Sequence, residues 1–295
     1  MLERLKAKIL FEKLLKRPNI DNAYKMVSEN DSWYSTIKTV HDSLAQITKK
    51  PHRVIEITSH DNLKLKGIYY PADGGSDTTV ICAHGYTSHA EREWAFPGLY
   101  YLSLGYNVLI PYQRAHGLSE GKYITFGALE HIDMADWAKK VNELTPNGKI
   151  VMHGLSMGGG ILLNLSKISV PNLKCLIVDA PSVSINDFFT NVSKEVFKRG
   201  YEAVATCAKK RFNKTFLSNT DDFEALEIIK ECKYPMLLSA GSKEHLDGLF
   251  DVIKNNNPMP TDAIILPGCN HGNGMYKQTA LYQSTIKAFL DKNLN

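Results

Sequence analysis

The run KIVMHGLSMGGGILLNLSKI, residues 149–168, constrains this chain more than any other. A strand-like stretch, KIVMH (149–153), ends at Gly154, and an apolar helical stretch, ILLNLSKI (161–168), follows almost at once. Only a very tight turn joins a strand to a helix over that distance, and Gly154, Gly158, Gly159 and Gly160 supply the room. A second run of the same Gly-x-Ser-x-Gly spelling, GLSEG at 117–121, lacks this setting. Five residues, Tyr112 to His116, separate it from its strand, and GKYITFG follows with no immediate helix. Ser119 therefore reads as a loop residue bonded locally, and Ser156 as a hydroxyl thrust out of a strained turn.

Around that turn, strand-like and helix-like stretches alternate. VIEI (54–57) and LKLKGIYY (63–70) flank the turn-like SHDN, which predicts a hairpin. TVICA (79–83), NVLIP (107–111), LKCLIVD (173–179), PMLLSAG (235–241) and AIILPG (263–268) are short apolar runs with helical spacing between them. Such alternation predicts crossover connections and a mostly parallel sheet, with the hairpin adding antiparallel strands at one edge. The helix after NVLIP carries Leu129, Ile132, Ala135, Val141 and Leu144, and the last one carries Leu281, Tyr282, Ile286, Phe289 and Leu290. The roughly 55 residues between Asp179 and Pro235 exceed what a simple crossover needs. Phe188, Phe189, Val192, Val196 and Phe197, then Tyr201, Val204, Ala208 and Phe212, predict two helices there, a cap over one end of the sheet at about 182–222.

The first fifty residues form an N-terminal helical extension to a domain spanning 51–295. Leu2, Leu5, Ile9, Leu10 and Leu14 recur at helical spacing. Most such stripes pack on a core, so the expectation is packing on the domain. The alternative is a membrane-surface or partner-binding helix, because Lys and Arg fill the rest of the segment.

The net charge of +4 is small and dispersed, which argues against a nucleic-acid binder. Five cysteines, an odd count without CxxC pairing, argue against a disulfide framework and for a reducing, cytoplasmic setting; Cys82 and Cys175 fall in core-strand runs. No run approaches the ~20 apolar residues of a membrane span. The ten histidines show no HExxH or similar spacing, so neither a metal nor a cofactor is implied.

A serine hydroxyl needs a base and an orienting acid, and on such a scaffold they follow in the order serine, acid, histidine. Only His245 and His271 follow Ser156. His271, in the glycine-rich loop PGCNHGNG after the last strand, is the base; His245 sits beside the acid and is badly placed to bond it. For the acid, Glu244 in SAGSKEH ranks first, Asp247 second and Asp179 third. The oxyanion donors are the backbone N–H groups of Met157, which follows the nucleophile, and Tyr86, in the HGYTSH loop after TVICA. Gly85 lets that loop turn, and the His84 side chain supports it.

These segments resemble the α/β-hydrolase superfamily. AHGYTSH looks like its oxyanion loop, HGLSMGGG its nucleophile elbow, SAGSKE its acid loop and CNHG its histidine loop. The likeness runs from about residue 54 to the C-terminus and is greatest to bacterial serine esterases of the cinnamoyl/feruloyl esterase type, which carry a stretch like RAHGLSEGKYITFG. It implies a mostly parallel central sheet flanked by helices, with a helical cap inserted after strand 6. It also implies a serine ester hydrolase that forms an acyl-enzyme on a small-molecule ester with an apolar or aromatic group. Two residues depart from the pattern: Tyr112 stands where relatives often carry Asp, and Glu244 where Asp is usual. Peptidase, thioesterase or acyltransferase chemistry on the same triad, or a non-catalytic binding protein on this scaffold, are the alternatives. A haloalkane dehalogenase is excluded by the serine at the turn.

Overall fold

The computed structural model describes residues 2–20, 25–31 and 33–294. Its centre is one eight-stranded sheet. The strands are β1 (Arg53–Thr58), β2 (Lys64–Tyr70), β3 (Thr78–Ala83), β4 (Asn107–Pro111), β5 (Lys149–Leu155), β6 (Leu173–Asp179), β7 (Met236–Gly241) and β8 (Thr261–Leu266). Their spatial order is β1-β2-β4-β3-β5-β6-β7-β8. β1 pairs antiparallel with β2, and β2 with β4; every later pairing is parallel. The antiparallel edge is the hairpin expected from SHDN. It is closed by Ser59, whose N–H donates to Leu63 O, and by the left-handed backbone of Asn62.

The helices are α1 (Leu2–Leu15), α2 (Tyr34–Ile47), α3 (Ala90–Ser103), α4 (Glu130–Leu144), α5 (Met157–Leu165), α6 (Ile185–Phe197), α7 (Tyr201–Phe216), α8 (Ala225–Ile228), α9 (Asp247–Asn256), α10 (Gly274–Lys277) and α11 (Thr279–Leu294). They cover both faces of the sheet, which is why β3 and β7 are buried along their whole length and read as unbroken apolar runs. One core layer joins α1, α4, α5 and α9 to one face through Phe11, Trp137, Leu162 and Phe250. The other joins α2, α3 and α11 to the opposite face through Ile47, Trp94, Tyr101 and Phe289. No described helix is long and apolar enough to cross a membrane. All five cysteines are free, four of them buried.

α1 departs from its expected stripe. Ala7, Leu10, Phe11 and Leu15 are buried, whereas Leu2, Leu5 and Ile9 are 58%, 55% and 60% exposed. The helix has two apolar faces, and α7 covers only the one that contains Phe11. Phe11 settles the choice, because its ring packs on Phe216 (centroids 6.0 Å apart) and Tyr123 (5.5 Å) in the interior.

The 182–222 stretch contains α6 and α7. Phe189, Val204, Ala208 and Phe212 point inward, while Val196 is exposed and Phe188 is half-buried. α4 packs chiefly through Met134, Trp137, Ala138 and Val141, with Leu129, Ile132, Ala135 and Leu144 only half-buried.

Candidate active site

The candidate side chains Ser156, Glu244 and His271 gather where β5, β7 and β8 end, outside the carboxyl edge of the sheet. β5 delivers Ser156 at φ 57°, ψ −114°, a backbone setting costly for any residue with a side chain. The neighbouring glycines make that turn possible. A Cβ on Gly154 would lie 2.4 Å from Gly158 O, and one on Gly158 would lie 2.0 Å from Ala83 O. Both distances are far inside contact, so a side chain at either position would open the turn. The bend is locked further by Ser156 N–H donating to Asp179 O (2.8 Å) and Ser182 N–H donating to Ser156 O (3.1 Å).

Glu244 follows β7 on a short 3-10 turn (Ser242–Glu244). Its Oε1 accepts from Gly241 N–H (2.8 Å), which fixes the side chain against its own backbone. His271 follows β8 on a loop whose backbone is held by Asn270 N–H donating to Asn273 Oδ1 (2.8 Å). The two loops touch: Lys243 N–H donates to Cys269 O (3.0 Å), and a Cβ on Gly241 would strike that same oxygen at 2.4 Å.

The outcome is a continuous line of three groups. His271 Nε2 lies 2.9 Å from Ser156 Oγ, and His271 Nδ1 lies 2.6 Å from Glu244 Oε2. An ionised carboxylate only accepts, so Nδ1 carries the proton and Nε2 is left free to accept from the serine hydroxyl. Glu244 is 9% exposed in its side chain and His271 56%. The hydrogen bond that His271 donates to Glu244 raises the imidazole pKa above its usual value, against the opposing effect of burial.

The other candidates stand apart from this line. Asp247 is exposed in the first turn of α9, and His245 is exposed in a left-handed conformation. Asp179 is buried and belongs to a second network. Tyr282 OH donates to its Oδ2 (2.8 Å), His153 Nε2 lies 3.1 Å from that hydroxyl, and Tyr101 OH lies 2.7 Å from His153 Nδ1. Burial pushes Asp179 up to about 6 and His153 down to about 3. Ser119 is buried in a loop, its hydroxyl donating to Tyr112 O and accepting from Lys66 N–H.

Met157 follows Ser156 as the first residue of α5, and Tyr86 lines the same pocket as the serine. A Cβ on Gly85 would be 3.6 Å from Ser156 Cβ, so the HGYTSH loop lies directly against the serine. That loop is held by buried groups. Gly85 N–H donates to Glu93 Oε1 (2.8 Å). His84 Nδ1 lies 2.9 Å from Gly85 O, and His84 Nε2 accepts from Gln113 N–H (3.1 Å). This pattern fits the neutral ring, and burial pushes the His84 pKa well down. Tyr112, the departure noted above, is buried; its hydroxyl donates to Glu91 Oε2 (2.7 Å).

A pocket of about 440 Å³ opens beside Ser156 and His271, lined also by Trp33, Thr36, Tyr86, Glu93, Leu155 and Tyr276. Trp33, Thr36, Glu93 and Tyr276 carry no motif, and packing of α2 and α10 with α3 brings them here. A larger cleft of about 770 Å³, lined by His60, Asp61, His131 and Lys167 among others, shares no residue with this pocket. Among the described residues no cluster of three or more His, Cys, Asp or Glu is placed to hold a metal.

The sheet order, the strained serine turn and the loops at the strand ends define an α/β hydrolase. The family model described as serine aminopeptidase, S33, matches residues 74–231, just over half the chain, and the protein belongs to that hydrolase family. An uncharacterized Bacillus subtilis (strain 168) protein is 32% identical over 133 residues, which is 41% of this chain and less than half (43%) of that relative. An esterase from Pyrococcus furiosus superposes with TM-score 0.65 at 25% identity, covering 92% of this chain and 97% of its own. A Butyrivibrio proteoclasticus protein solved with ferulic acid bound shares the fold at TM-score 0.60 and 15% identity, over 81% of this chain and 99% of that one.

Proposed function

We propose that this protein hydrolyses carboxylic esters through an acyl-enzyme, with Ser156 as nucleophile, His271 as base and Glu244 as the acid that orients it. Ser156 Oγ bonds to the acyl carbon while its proton passes to His271 Nε2. The imidazolium then gives that proton to the leaving alkoxide as the ester C–O bond breaks. Water repeats the sequence in reverse order of roles, releasing the carboxylic acid and restoring the serine. The N–H groups of Tyr86 and Met157 receive the oxyanion, Met157 at the start of α5 adding the positive end of the helix dipole.

The observation that carries this reading is the unbroken hydrogen-bonded line from Glu244 through His271 to Ser156. The likeness to the Pyrococcus furiosus esterase supports ester substrates. Trp33, Tyr86, Leu155 and Tyr276 give the pocket a mostly apolar wall, which suits an apolar or aromatic acyl or alcohol group. In domain terms, 51–295 is the hydrolase unit, 182–222 its cap and 1–50 an extension whose helices α1 and α2 pack on α7 and α3 respectively.

A second reading is aminopeptidase, the activity by which the family model is described. The Glu93 carboxylate lines the Ser156 pocket, and such a group attracts a substrate ammonium. The test compares p-nitrophenyl acyl esters of graded chain length with aminoacyl p-nitroanilides, alongside labelling by a fluorophosphonate probe and mass spectrometry. Ester turnover, with the adduct on Ser156 and both lost in Ser156→Ala, is expected. Faster anilide turnover would give the second reading; a folded protein that takes no label at Ser156 would leave neither.

A further inference from the structure

α1 shows an apolar face that nothing among the described residues covers. At about 100° per residue, Leu2, Leu5 and Ile9 fall within roughly 60° of arc, on the side of the helix away from buried Phe11. Each is more than half exposed. Scattered aliphatics on a surface need no explanation, but three aligned on one helical face do. Nearby, Lys6 Nζ sits 5.3 Å from the Phe197 ring, which brings the end of α6 beside this face, where Val196 is 51% exposed.

The charge of α1 and of the α6–α7 pair beside it is one-sided. Residues 2–17 and 185–216 hold thirteen Lys and Arg against five Asp and Glu, a local net of plus eight. The whole chain carries +4, so the remainder is net negative by four. Arg4, Lys8, Lys13, Lys194, Lys198, Arg199, Lys210 and Lys214 are all exposed. Glu12, one of the few acids, is turned inward to Tyr123 OH (2.9 Å) and Arg211 (3.6 Å).

We propose that α1 docks this protein peripherally on anionic phospholipid bilayers, with Leu2, Leu5 and Ile9 entering the headgroup–acyl boundary and the surrounding Lys and Arg side chains pairing with lipid phosphates. Aliphatic side chains framed by lysines match that boundary, whereas a nucleic acid would call for exposed rings to stack on its bases. α1 need not unpack to bind. Phe11 stays among Tyr123 and Phe216, and Leu14 O keeps its hydrogen bond from Tyr86 OH (2.6 Å), while the opposite face meets lipid.

The test is co-sedimentation of the whole chain with vesicles of phosphatidylcholine alone and of phosphatidylcholine mixed with phosphatidylglycerol. Because it reads binding, it stands whether or not the hydrolytic reading does. Binding to the mixed vesicles, weak on phosphatidylcholine alone and reduced by salt, is expected. Leu5→Ser with Ile9→Ser should weaken it by about tenfold or more, and Lys8→Gln with Lys13→Gln by about fivefold per lysine. Circular dichroism and thermal melting, both unchanged, show that the variants fold. No binding to the mixed vesicles, or binding indifferent to both pairs, overturns the proposal. A dimer in sedimentation velocity that Leu5→Ser with Ile9→Ser dissociates also overturns it, by seating a second copy on the stripe.

Discussion

Replacing Glu244 by Gln should cut ester turnover a thousand- to ten-thousand-fold with the fold intact. Two effects overlap within that loss, and either alone is of its size. Glu244 faces Gly241 N–H with Oε1 and His271 Nδ1 with Oε2. In the glutamine variant the carbonyl oxygen keeps the Gly241 contact, and the amide NH2 is turned on His271. Nδ1 must then accept, so the proton moves to Nε2, and the ring presents a donor to Ser156 where it needs an acceptor. A wrong tautomer of this kind costs about ten-thousand-fold in serine proteases. Loss of the carboxylate also removes the partner of the transient imidazolium, worth about 4 kcal/mol for charges ~4 Å apart at an effective dielectric near 20, or about a thousandfold.

The pH dependence separates this account from a merely structural one. His271 acts as base only when neutral, so kcat/KM rises with pH through its pKa, which the Glu244 hydrogen bond holds above the usual 6.5. Removing the carboxylate takes away the leading cause, so the acid limb of the residual activity moves to lower pH. Stopped-flow or plate assays on a p-nitrophenyl ester across pH 5–9, with thermal melting as the control for folding, read both effects (an experimental range typical for histidine titration). Near-wild-type turnover in Glu244→Gln, with collapse in Asp179→Asn or Asp247→Asn, would refute the reasoning and move the acid.

Two further outcomes follow from packing. Gly158→Ala should destabilise by about 3 kcal/mol or more in urea unfolding, because its Cβ would press on Ala83 backbone at 2.0 Å; an unchanged midpoint would mean the turn is not this tight. Gly159→Ala, whose nearest neighbours are 3.2 Å away, should cost less. Arg114 is 3% exposed in its side chain and bonds Asp133 (2.7 and 2.8 Å) and Asp61 (2.9 and 3.1 Å), so Arg114→Met should cost about 3–5 kcal/mol by leaving Asp133 buried and unpaired. Adding Asp133→Asn should recover part of that loss in the same denaturation assay, and no recovery would assign the cost to lost packing.

Much of the architecture could be read from residue order. Parallel strands covered on both faces leave unbroken apolar runs, as in TVICA and PMLLSAG, and the strained serine leaves glycines at 154 and 158 because backbone oxygens occupy the space of any Cβ. These are local demands, met by neighbours in the chain, so the chain alone displays them. Several decisions were not local. α1 offers two apolar faces of similar character, and only Phe216 on α7 and Tyr123, more than a hundred residues away, decide that Phe11 goes inward and Leu5 outward. Glu244, Asp247 and Asp179 all follow the serine and are carboxylates; the choice lies in which one β7 and β8 carry within 2.6 Å of His271, while Tyr282 draws Asp179 into another network. Trp33, Glu93 and Tyr276 meet in one pocket without any spacing that links them. Sequence thus determined what each segment must do to satisfy its own backbone, and tertiary packing decided which of several chemically equivalent side chains would share a site, because that depends on distances no local pattern encodes.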